Sequence, residues 1–99
     1  MTRIAAYIPN LMDRSRFASH VEMLSTLDDL KSANADLILI DASKPEVLEY
    51  LPAGPRVIAF APHVNEQILD LAKAAGCADA LPRSIFFKRL PQLLGDSDG

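Results

Sequence analysis

The sequence predicts an α/β domain whose parallel sheet is covered by helices on both faces. Two observations point there. Four segments are short, continuous apolar runs without in-and-out alternation, so both faces of each strand must be covered. Helical patterns fall between these runs, so strand and helix alternate along the whole chain. With 99 residues and 49% hydrophobic content, the chain can supply one core and hence one domain, over residues 1–94.

The four runs are residues 3–8 (RIAAYI), 36–40 (DLILI), 56–60 (RVIAF) and 78–81 (ADAL). Residues 20–24 (HVEML) have the weakest pattern and read as an edge strand or an irregular segment, which makes a sheet of five or four strands. Consecutive strands start close together early in the chain, so the first crossovers must be trimmed and the first helix, at 11–18, shortened.

The next helix is expected over 26–33, with Ser25 and Asp28 as a capping box. Pro45 suits the first turn of a helix ending near Leu51, because its missing N–H is an orphan there anyway. Pro52, Gly54 and Pro55 then break the chain. Residues 64–75 carry Ile68, Leu71, Ala72 and Ala75 at helical spacing. His63 and Glu66 stand at the start of that helix, and Gly76 can supply a left-handed cap at its end. In the last helix, 85–94, Phe86, Leu90, Leu93 and Leu94 form a stripe, Ser84 is a candidate N-cap, and Pro91 should kink or restart the helix. The tail, 95–99 (GDSDG), is polar and expected to be disordered.

Composition excludes several functions. The net charge is −3, and the ten Lys and Arg are scattered rather than blocked. Nucleic-acid binding by phosphate neutralisation is therefore disfavoured. The apolar runs are far too short to cross a membrane, and the first residues lack the pattern of a signal peptide. The lone cysteine, Cys77, rules out an intrachain disulfide and suits a reducing, cytoplasmic setting. Cys77 reads as a buried structural thiol. Together with His20 and His63 it matches no ligand spacing, so neither metal nor cofactor is expected.

Ligands of open parallel sheets bind outside the carboxyl ends of the strands. Those ends carry Pro9, Asn10 and then Asp13; Asp41, Ala42 and Ser43; Ala61, Pro62 and His63; and Pro82, Arg83 and Ser84. Here the chain resembles the CheY-like receiver domains of bacterial response regulators, over residues 3–94 and most specifically in the second half. DLILIDAS places Asp41 where a receiver carries its phospho-accepting aspartate. RVIAFAPHV stands at the fourth strand and its switch hydroxyl, and GCADALPRS at the fifth strand and its lysine. The resemblance implies a three-layer, flavodoxin-like fold with strand order 2-1-3-4-5.

The departures from that pattern shape the expected function. Pro9 and Asn10 replace the acidic pair that holds Mg²⁺, Ala61 replaces the switch hydroxyl, and Arg83 and Ser84 replace a lysine and a proline. Phosphoryl transfer to a carboxylate needs a metal ion and a placed cation to offset charge. Asp41 is therefore read as a vestigial phospho-acceptor, expected to pair with Arg83. The implied function is a stand-alone pseudo-receiver: a non-phosphorylated protein–protein interaction module in bacterial signal transduction, not an enzyme.

The alternative is a small-molecule or anion-binding domain, or a weak enzyme, at the rim around Asp41, His63 and Arg83. Asn10, Arg83 and Ser84 could hold an anion at a helix N-terminus, although no glycine-rich phosphate loop exists. His63 reads first as a helix cap and second as an acid/base group. Ile85, Phe86 and Phe87 are consecutive and cannot all face one narrow core. Either a wider groove buries all three, or one is exposed for a protein partner or a second copy in a homodimer. Receivers commonly pair through that region.

Overall fold

A computed structural model describes residues 3–17, 20–62 and 66–95. The elements run β1 (Ile4–Tyr7), α1 (Leu11–Arg14), β2 (Glu22–Met23), α2 (Leu27–Lys31), β3 (Leu37–Asp41), a 3-10 helix (Pro45–Tyr50), β4 (Arg56–Ala61), α3 (Glu66–Ala74), β5 (Asp79–Pro82) and α4 (Arg83–Gly95). The strands form one all-parallel sheet in the order β2-β1-β3-β4-β5, a flavodoxin-like arrangement. The weakly patterned segment at 20–24 does form an edge strand, β2, but only over two residues.

The pleat explains why the apolar runs are continuous. Successive side chains point to opposite faces. In β3, Leu37 and Leu39 pack toward Phe86, Leu90 and Leu94 of α4. Ile38 and Ile40 pack toward Leu30 of α2, Val47 of the 3-10 helix and Ile68 and Ala72 of α3. Each face thus has its own apolar layer, and β3 and β4 at the centre are buried on both sides.

Local chemistry sets the helix ends, with some corrections to the sequence reading. Thr26, not Ser25, caps α2, its hydroxyl accepting from the Asp29 N–H at 3.0 Å. Ser25…Asp28 and Thr26…Asp29 both fit the capping pattern, and the helix that starts after Thr26 buries Leu30 completely. Gly76 does terminate α3. At φ +110° it donates to the Lys73 carbonyl, while the Cys77 N–H reaches back to Ala72, a Schellman closure.

The buried stripe of α3 is narrower than the spacing suggests. Ile68 and Ala72 are inside, while Leu71 is 51% exposed and Ala75 lies at the surface. Residues 63–65 lie outside the described residues, so the capping role of His63 is not described, nor is the tail at 96–99.

The last helix starts earlier than expected. β5 passes directly into α4, so Ser84 is the second residue of the helix rather than its N-cap. The helix also continues through Pro91, which is exposed, rather than restarting there. The predicted stripe holds: Phe86, Leu90 and Leu94 are buried and Leu93 is partly so. Both sheet edges are short. Pro82, which has no N–H to offer, ends the β5 edge.

Cys77 is 7% exposed beside α3 and β5, and burial pushes its thiol up to about 11. The folded state holds this proton more tightly than the unfolded state. Its contribution to stability is therefore complete below the ordinary thiol pKa and is lost as pH rises toward about 11. At pH 8 the native chain should react with iodoacetamide far more slowly than the chain in urea, read by intact mass. Equal rates would contradict a buried thiol.

Candidate functional site

The carboxyl-end rim is built by four strand tips. β1 and β3 lie side by side, with Tyr7 opposite Ile40, and β3 pairs with β4, with Asp41 opposite Phe60. Beyond β4, Ala61 pairs with Pro82 of β5. The tips of β3 and β5 are thus separated by a whole strand. The expected Asp41–Arg83 pair does not form: Oδ1 of Asp41 is engaged by Ser43, and Arg83 turns to the acid that follows β1.

Arg83 instead donates from Nη2 to Oδ1 of Asp13 in an ion pair. Asp13 is the buried charged residue among the described residues, 3% exposed. It occupies the first turn of α1, whose N-cap is Asn10. The Asn10 side-chain oxygen accepts from the N–H groups of Met12 and Asp13 at 2.9 and 3.2 Å. The turn is inverted relative to an ordinary surface helix, with the acid inside and Leu11 and Met12 outside at 75% and 81% exposure.

Beneath this pair lies an aromatic cluster holding all four phenylalanines of the chain. Phe60 and Phe86 stack with centroids 4.4 Å apart, and Phe87 meets Phe60 edge-on at 5.2 Å. The guanidinium groups of Arg16 and Arg83 sit 4.7 and 5.0 Å from the centre of the Phe87 ring. Of the three interface candidates, Phe86 is fully buried, Phe87 is half-buried under the two arginines, and Ile85 is 39% exposed. A shallow apolar groove of about 340 Å³ runs beside Phe17, Phe87 and Pro91.

Asp41 belongs to a different environment. Its Oδ1 accepts from the Ser43 N–H at 2.9 Å and from the Ser43 hydroxyl, an Asx-type turn that closes the end of β3. A cleft of about 300 Å³ opens between the β1 and β3 ends, lined by Tyr7, Asn10, Leu27, Asp41, Lys44 and Val47 among others. Arg83 and Ser84 do not line it. The rim residues Asn10, Asp41, Arg83 and Ser84 therefore do not converge. Asn10, which caps α1, and Asp41 both line the cleft, whereas Arg83 is held by Asp13 and Ser84 is exposed on α4.

Among the described residues no three His, Cys, Asp or Glu side chains come together in a way that could hold a metal ion. Ala61, at the switch-hydroxyl position, is fully buried against the α3 face. No described helix is long and apolar enough to cross a membrane.

The role of Asp13 was not visible from the rim positions alone. Its signal was the pattern Asn10-x-x-Asp13, which sets a cap and fixes the first turn. No protein-family model matches the chain, and no curated protein matches it.

Proposed function

We propose that the chain is a stand-alone pseudo-receiver: a protein–protein interaction module of bacterial signalling that takes up no phosphoryl group. The observation that carries this reading is the Asp13–Arg83 pair. It commits the acid that follows β1 and the cation that follows β5 to each other, away from Asp41. A receiver needs both kinds of group around its acceptor, the acid to hold Mg²⁺ and the cation to meet the phosphoryl oxygens. Asn10 is occupied in capping α1, and Ala61 offers no hydroxyl. The strand order and the position of Asp41 at the β3 tip fit the receiver frame; the chemistry around that position does not.

The surface proposed for a partner or a second copy is the one beside α4, where Ile85 is exposed and the groove at Phe17, Phe87 and Pro91 is open. Incubating the full chain with Mg²⁺ and acetyl phosphate, followed by intact mass, tests the central point. No gain of a phosphoryl group is expected under conditions that label an active receiver run alongside. A stable gain mapped to Asp41 would overturn the reading.

A further inference from the structure

We infer that the cleft between the ends of β1 and β3 is a binding site for a small zwitterion of amino-acid size, gripped by Asp41 and Lys44. The first ground is position. In the order β2-β1-β3-β4-β5 the chain leaves β1 toward one side of the sheet and β3 toward the other. The loop after β1 leads into α1, whose neighbour Phe17 packs on the α4 face, whereas the loop after β3 leads into the 3-10 helix on the opposite face. The two loops diverge and leave a crevice at the point where open α/β sheets take their ligands.

The second ground is size. At about 300 Å³ the cleft is at the low end of ligand pockets, which run to about 1,000 Å³. A nucleotide or flavin is too large for it, and a single small metabolite is not.

The third ground is chemistry. Tyr7, Leu27 and Val47 supply an apolar wall, and Val47 is buried. Oδ1 of Asp41 is held by Ser43, which fixes the carboxylate, while no described residue donates to Oδ2. Lys44 also lines the cleft and makes no ion pair among the described residues. An anchored carboxylate and an uncommitted ammonium beside one apolar wall complement a molecule with an amine, an acid and a short apolar side chain. The amine would donate to Asp41 and the acid would accept from Lys44, while the side chain covers the wall. Glu46 lines the same cleft and adds negative charge, which disfavours a simple anion.

This site is independent of any protein docking on α4, and it gives Asp41 a task other than phosphorylation. The test uses the full, ¹⁵N-labelled chain and L-leucine as the probe. Isopentylamine lacks the acid of the probe and isovalerate lacks the amine. Saturable amide shifts confined to the residues lining the cleft, from Tyr7 and Asn10 to Asp41, Lys44 and Val47, are expected with L-leucine at millimolar concentration, with each single-charge analogue about tenfold weaker or worse. Asp41→Asn and Lys44→Ala should each weaken L-leucine to a similar extent while leaving the spectrum folded. Absence of saturable shifts would overturn the site, as would equal binding of the three probes or binding unchanged by Asp41→Asn. The phosphodonor experiment reads mass at Asp41, so the two proposals fail separately.

Discussion

Phe86→Ala should cost about 3–5 kcal/mol, the range for emptying a fully buried aromatic site. Phe86 is 0% exposed, stacks on Phe60 at 4.4 Å and touches Phe17 and Phe87 at 6.3 and 5.2 Å. It joins α4 to the centre of the sheet, so the void would open between two layers rather than at a margin. A domain of this length has only about 5–15 kcal/mol in total. The midpoint of thermal unfolding should therefore fall by about 15–30 °C. Ile85→Ala, one residue away and 39% exposed, should cost less than about 1 kcal/mol. Thermal and urea unfolding of the two variants decide the matter. Similar losses would mean that α4 is rotated from the orientation described.

The second large effect concerns the ion pair, and it should be asymmetric. Arg83→Ala leaves the Asp13 carboxylate, 5% exposed as a side chain, without its partner. It also removes one of the two cations over Phe87. Breaking a buried pair from this side costs about 3 kcal/mol or somewhat more, because an uncompensated charge is left inside. Asp13→Ala leaves the arginine, whose side chain is 42% exposed and can be hydrated in place. That change should cost about 1–2 kcal/mol, discounted for solvent at the arginine end.

The double variant should therefore be more stable than Arg83→Ala alone. Urea unfolding at pH 7 of the four proteins in the cycle reads the difference. A larger loss for Asp13→Ala than for Arg83→Ala, or no recovery in the double variant, would show that Asp13 is not buried as described.

The fold was largely legible because it rests on burial, which composition and periodicity encode directly. Runs such as DLILI have no polar position after the first, so they demand cover on both faces, and the two apolar layers supply it. Gly76 was readable because a glycine directly behind an apolar helical stretch is free to take the left-handed conformation that closes a helix. The α2 cap was less so: two overlapping Ser/Thr-to-Asp spacings compete, and the spacing itself does not say that Thr26 takes the role.

The site was less legible, since it depends on which tips are neighbours in space. Asp41 and Arg83 have opposite charges and both stand at strand tips, but each is engaged elsewhere, Asp41 by the Ser43 turn and Arg83 by Asp13. The partner that Arg83 takes, Asp13, sits in a one-turn helix too short to show periodicity, with its two apolar residues outward. Binary pattern misassigns such a turn, because a specific charge pair outweighs the usual sorting of apolar in and polar out. Lys44 gave no warning either; it is an ordinary surface lysine until the crevice beside Asp41 is seen.

The two borders of the sheet bear on how copies of the molecule can meet. One border is a strand of two residues, and the other finishes in a proline that cannot donate. Neither gives an incoming chain a row of main-chain partners long enough to zip onto. Growth by strand-to-strand addition, the route to ribbons and fibrils, is disfavoured at both margins. Assembly is then left chiefly to side chains on the helical faces, where a single substitution can tune or abolish it.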